Sequence, residues 1–167
     1  MQIAGPKITA CLWFDTQAEE AANFYVSVFK GSRLGKISRY GKAGQDIHGK
    51  KEGSVMTVEF ELGGRPFVAL NGGPDFKLTE AVSFQIFCDT QDEIDFFWNA
   101  LSKGGQEGPC GWLKDKYGLS WQVVPSVIPK MMSDHDAKKS ERAMNAFLKM
   151  KKFDLEKITR AYEGQST

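Results

Sequence analysis

Apolar and polar positions along this chain follow one pattern, and the pattern occurs twice. Residues 8–14 form a nearly continuous apolar run rich in β-formers, which predicts a strand covered on both faces. After it, Ala18, Ala21, Ala22, Tyr25, Val28 and Phe29 recur at helical spacing, and Gly31 stands where a left-handed residue ends such a helix. Residues 82–88 are the second apolar run, followed by a stripe of Ile94, Phe97, Trp98 and Leu101 and a stop at Gly105. Thr16 with Glu19, and Thr90 with Glu93, open the two helices as S/T-x-x-E capping boxes. Both boxes and both glycine stops are offset by 74 positions, which points to a duplicated unit.

Each helix is followed by further strand-like segments. In the first copy these are residues 35–40, 55–62 and 66–71, with Gly63-Gly64 as a hairpin turn; in the second they are residues 111–114 and 119–125, with a turn at 115–118. Each half therefore reads β-α-β-β-β, an α+β class, and two such halves are expected to leave a concavity where a small ligand binds. Residues 41–53 are polar and glycine-rich and predict a mobile loop, either a lid or a solvated hairpin tip. Beyond Pro129 the sequence turns charged and helix-favouring. Ser133 and Asp134 offer N-caps there, Ala143, Met144, Phe147 and Met150 form a stripe, and Asp154 caps a last helix carrying Ile158, Ala161 and Tyr162. The division expected is one domain over residues 1–128, with modules at about 5–74 and 78–128, and a helical extension over 129–167.

Composition narrows the function classes. A net charge of +1 with both signs interspersed gives no support for a nucleic-acid partner. No apolar run is long enough to span a membrane, and residues 1–6 do not resemble a signal peptide, so a cytoplasmic protein is expected. Cys11, Cys88 and Cys110 are odd in number and contain no C-x-x-C pair, which reads as reduced packing cysteine. The terminal amphipathic helices suit a homodimer contact.

Specific phrases carry a family resemblance. Leu12-Trp13-Phe14, then Ala18-Glu19-Glu20-Ala21-Ala22-Asn23-Phe24-Tyr25, then Ala69-Leu70-Asn71-Gly72-Gly73-Pro74, and finally the run from Cys110 through Gly111-Trp112-Leu113-Lys114-Asp115 to Ser120-Trp121-Gln122, resemble the PhnB-like branch of the vicinal oxygen chelate superfamily. That superfamily includes glyoxalases, bleomycin-resistance proteins and extradiol dioxygenases. The resemblance implies tandem βαβββ modules and brings the branch's label, 3-demethylubiquinone-9 3-methyltransferase. The glycine clusters of this chain do not open a helix after a strand, as nucleoside sites of the doubly wound kind do.

In metal-dependent members of the superfamily, ligands come from the first and last strands of each module. The resemblance places those positions at Ala10, Phe84, Val68 and Gln122, of which only Gln122 has a donor atom. No metal and no other cofactor is therefore expected. The ligand-binding candidates are Phe14, Phe60, Asn71, Phe84, Trp112, Trp121 and Gln122, an aromatic set with two amides to orient a ligand. Cys110 is the candidate catalytic thiol, although Lys114 and Lys116 are its only cationic neighbours in sequence. Two functions stay open: a protein that binds a small apolar or aromatic molecule, or an enzyme, including methyl transfer and a metal site built on Glu59 or Glu61.

Overall fold

A computed structural model of the chain describes residues 8–165, so the expectation for residues 1–6 lies outside the described residues. Two compact units divide the chain, Met1–Leu78 and Thr79–Thr167. The first runs β1 (Ala10–Phe14), α1 (Ala18–Val28), β2 (Arg33–Arg39), α2 (Gln45–His48), β3 (Val55–Leu62) and β4 (Arg65–Asn71). Its sheet has the order β1-β4-β3-β2, with β1 parallel to β4 and the other pairs antiparallel. Helix α1 lies on one face because Ala18, Ala21 and Ala22 let it approach closely, and Tyr25 then stacks on Phe60 of β3 at 6.0 Å. Strand β1 is not covered on both faces as its apolar run suggests. Leu12 and Phe14 are buried, while Cys11 before them is exposed and Trp13 between them is half-buried, the alternation of a strand with one free face.

Helix α1 also begins differently from its capping-box expectation. Gln17 is the N-cap and makes no side-chain cap bond, and Thr16 stands one residue too early to serve. Asn71, at the end of β4, supplies the acceptor instead: its Oδ1 takes the Ala18 N–H at 2.8 Å, and its Nδ2 donates to Val55 O at 3.0 Å. The segment between β2 and β3 holds the one-turn helix α2, bounded by left-handed Gly44 and Gly49. Tyr40 and Ser54 close it off through Tyr40 N to Ser54 O at 2.9 Å.

The second unit repeats the plan as β5 (Ser83–Cys88), α3 (Gln91–Ser102), β6 (Gln106–Glu107), β7 (Trp112–Lys114) and β8 (Ser120–Pro125), with sheet order β5-β8-β7-β6. Here the capping box forms, with Thr90 Oγ1 accepting from Glu93 N and Glu93 Oε2 accepting from Thr90 N. Strand β6, two polar residues long, carries no apolar alternation and was not legible in the sequence. The matching sheet orders make the class α+β with tandem βαβββ modules, followed by a helical extension.

That extension comprises α4 (Ile128–Met132), α5 (Ala137–Phe147) and α6 (Leu155–Glu163). Met131, Ala143, Phe153 and Ile158 form its own small core. Asp154 caps α6, but α5 is capped by Asp136 rather than by Ser133 or Asp134, because Ser133 is the C-cap of α4 and Asp134 accepts from Asp136 N. Cys110 N donates to Met150 O and Gly111 N to Lys151 O, both at 2.8 Å, so the turn before β7 fastens the extension to its module. Gly111 has φ +77 and a Cβ there would lie 2.5 Å from Phe153, which leaves glycine alone suited to the contact.

Candidate functional site

Each sheet has one face under its helix and one face free of it, and strand alternation decides which side chains go where. Strand registers put Phe14, Phe60 and Asn71 on the helix side of the first unit, where they are 4%, 3% and 8% exposed. In the second unit Phe84 and Trp121 are register partners on the helix side, with ring centroids 5.7 Å apart, and Trp121 is 2% exposed. These five aromatic and amide candidates therefore pack beneath helices. Only Trp112 and Gln122 lie on a helix-free face, as partners across β7 and β8. Expecting both Trp121 and Gln122 to point the same way fails because neighbouring strand residues project to opposite faces.

Asp115 sets this phase. Its Oδ1 accepts from Tyr117 N at 2.9 Å and Leu119 N at 3.1 Å, and its Oδ2 accepts from Trp121 Nε1 at 2.9 Å. A buried carboxylate thus closes the β7–β8 turn and pulls Trp121 to the helix side, leaving Gln122 on the other.

The free face of the second unit carries an ordered polar row. Gln122 Nε2 donates to Ser83 Oγ at 2.8 Å, and Gln85 Nε2 donates to Gln122 Oε1 at 3.2 Å, while Trp112 stands beside Gln122 on β7. One register step away Lys114 and Ser120 are partners, and Lys114 Nζ meets Glu80 Oε1 at 2.6 Å. Ser83, Gln85, Lys114 and Ser120 were missed in the sequence; the even-numbered phase of β8 through Gln122 was the signal that finds Ser120.

The first unit's free face, in the same register, presents Cys11, Trp13, Glu59, Glu61, Val68 and Leu70. Trp13 is held down by its Nε1 bond to Gly73 O at 2.8 Å and by an edge contact with Phe76 at 4.9 Å. Glu61 is engaged by Arg33 at 2.6 Å.

The superfamily's metal positions need a one-residue correction. Ala10 and Phe84 lie on the helix side; the residues that share a free face with Val68 and Gln122 are Cys11 and Gln85. One face then offers a thiol beside valine and the other two amides, and partial desolvation against the sheet, although Cys11 is exposed, pushes its thiol up from its usual range, away from the thiolate a metal needs. Neither set fits a divalent ion. Among the described residues no three His, Cys, Asp or Glu side chains come together as a metal group, so Glu59 and Glu61 do not assemble one. Cys110, at φ +53, is the single non-glycine with positive φ among the described residues, and its Sγ lies 3.9 Å from both Phe147 O and Leu148 O of the extension. Its observed contacts serve docking of the tail.

Among solved structures, the chain is 37% identical to the PhnB protein of Bacillus cereus, over 72% of this chain and 99% of that one, with a TM-score of 0.62. Protein PA1353 from Pseudomonas aeruginosa shares the fold at 19% identity and TM-score 0.59, over 72% of this chain and 98% of that one. FosX, a fosfomycin resistance protein from Mesorhizobium loti, shares it at 11% identity and TM-score 0.51, over 80% of this chain and 100% of that one. No curated protein matches the chain. Residues 6–124 match the family described as 3-demethylubiquinone-9 3-methyltransferase. That span takes in both βαβββ modules and both free faces, and the chain accordingly belongs to this PhnB-like family and is built on the vicinal oxygen chelate fold.

Proposed function

We propose that the protein binds a small apolar or aromatic molecule on the free face of its second unit, without a metal, with Trp112 as the platform and Gln122 as the orienting group. The Ser83–Gln122–Gln85 row carries this reading. Ser83 and Gln85 hold the Gln122 amide in place yet use only one of its two N–H donors and one of its two carbonyl lone pairs. A fixed amide with spare capacity beside an indole is the chemistry of a mostly apolar ligand site with a few placed polar groups. Native mass spectrometry of the purified chain tests it: a bound small molecule that survives metal chelation is expected, and retention that depends on a divalent ion would refute it.

Methyl transfer, named in the family description, is the competing reading. It is disfavoured because the turns into α1 and α3, Asp15-Thr16-Gln17 and Asp89-Thr90, lack the glycines that bring a backbone close to a nucleoside cofactor. Calorimetric titration with S-adenosylmethionine should give no binding heat.

In the proposed reading residues 1–128 form the binding domain, the helices beyond form an extension, and the protein acts in the cytoplasm as a homodimer. The free thiols of Cys11, Cys88 and Cys110 support a reducing compartment. Exposed Val82 and Phe87, beside and within edge strand β5, support a partner subunit. Among the described residues no helix is long and apolar enough to cross a membrane. Sedimentation velocity should show a dimer that a Phe87→Glu substitution dissociates.

A further inference from the structure

We infer that the ligand's polar end is a carboxylate, received by Ser120 and Lys114 in a pocket at one end of the same face, so that the ligand class is a small aromatic acid; this rests on ligand binding by the second unit as proposed above. The pocket is about 470 Å³ and its lining includes Glu80, Glu107, Pro109, Trp112, Lys114 and Ser120; the Glu107 carboxylate is already engaged, accepting from Trp98 Nε1 of α3 at 3.1 Å.

Ser120 supplies the first observation. Its side chain is fully buried, it lines this pocket, and its Oγ has no hydrogen-bond partner among the described residues. A buried hydroxyl left that way is destabilising, so a fold that retains one at a pocket wall leaves a partner to be supplied from inside. Register places Ser120 between Ser83 on β5 and Lys114 on β7, on the helix-free side.

The Glu80–Lys114 ion pair supplies the second. Glu80 precedes β5 and Lys114 lies on β7, so the bridge spans β8 at the level of Ser120. Its two ends are unequal: the Glu80 side chain is 63% exposed, whereas that of Lys114 is 30% exposed. Hydrogen bonding to Lys114 keeps the Glu80 carboxyl below the usual carboxylate range, so it stays ionised at neutral pH. An exposed carboxylate resting on a half-buried ammonium is a partner that a ligand carboxylate can replace. One cation and one hydroxyl match a monoanion, and Trp112, two residues along β7 on the same face, offers the ring surface.

The first unit shows that this subsite is not a property of the fold as such. In the same register Pro66 stands where Ser120 does and Glu61 where Lys114 does, so the hydroxyl is absent and the charge is reversed.

The test is titration of the full chain with benzoate, and with toluene and benzylamine as ring-matched controls, followed by calorimetry and by the Trp112 indole NMR signal. Benzoate should bind beside Trp112 more tightly than either control. Ser120→Ala should weaken benzoate by about fivefold or more, leave toluene unchanged and not lower the melting temperature, since the hydroxyl it removes has no partner. Glu80→Gln should tighten benzoate by removing the competing carboxylate, a gain that a purely structural role for the ion pair would not produce. Benzoate affinity unaltered in both Ser120→Ala and Lys114→Met, or benzylamine binding as well as benzoate, would overturn the subsite. Toluene binding beside Trp112 without benzoate would overturn it while leaving the apolar-ligand reading intact; failure of all three probes to perturb Trp112 would remove both.

Discussion

Asn71 Oδ1 accepts the backbone N–H of Ala18 at 2.8 Å, across 53 residues of sequence, and so starts helix α1 from the end of β4. The same side chain donates to Val55 O, and its backbone carbonyl accepts from Tyr40 Oη at 2.7 Å. Asn71 therefore ties together the helix start and the start of β3 through its side chain, and Tyr40, just after β2, through its main chain. Asn71→Ala should lose about 2 kcal/mol, the sum expected for a lost cap and an orphaned buried carbonyl. Urea denaturation measures it, and a loss below about 0.5 kcal/mol would show that the bond carries no load.

Thr16 and Thr90 look equivalent in sequence but not in the fold. Thr90→Ala should cost about 1 kcal/mol because it removes a formed cap, whereas Thr16→Ala should be close to neutral. Equal losses in paired denaturation curves would contradict the asymmetry between the modules.

Gly72 lies under the Trp13 ring, where an added Cβ would sit 2.1 Å from Trp13 Cζ2. Gly72→Ala should displace the indole, break its bond to Gly73 O and destabilise by about 1–3 kcal/mol. A shift in tryptophan fluorescence should accompany the stability loss; wild-type emission with wild-type stability would disprove the contact.

Asp115 accepts three N–H groups in a buried turn, and an amide there would place donors against donors. Asp115→Asn is expected to lower stability by about 2 kcal/mol or more, chiefly through the unmet Trp121 indole N–H. A crystal structure or the Trp121 indole NMR shift reports the loss, and an unmoved indole resonance would argue against it.

Cys88 has its thiol pushed up to about 12, first by burial and then by Glu93 and Asp89. A raised value means less thiolate at any given pH, and Cys88 is also buried, so a disulfide reagent at pH 8 should reach exposed Cys11 while Cys88 waits for denaturant. Its rate should keep climbing as the pH rises toward that value. Three fast thiols in the native protein would be inconsistent with this environment.

Much of the fold was legible because its cues are local. The stripe Ala18, Ala21, Ala22, Tyr25 and the stripe Ile94, Trp98, Leu101 announced two helices, and Gly63-Gly64 announced the β3–β4 hairpin. Duplication was visible in the repeated T-x-x-E and glycine spacing, although Thr16 does not cap α1 and the left-handed glycine after α3 is Gly104 rather than Gly105. Strand β6 was hidden because Gln106 and Glu107 pair along the backbone without an apolar signature.

The candidate site was less legible. Aromatic identity marks burial on either face of a strand, so Phe14, Phe60 and Trp121 were readable as large buried groups but not as core beneath a helix. Sequence alone determined the class, the two βαβββ modules and the family, because each depends on residue types and short-range periodicity. Tertiary structure alone decided the phase of each strand, the capping of α1 by Asn71, and the meeting of Ser120 with the Glu80–Lys114 pair. Those are set by which strands become neighbours and in what register, and a one-residue change of register moves a side chain to the opposite face.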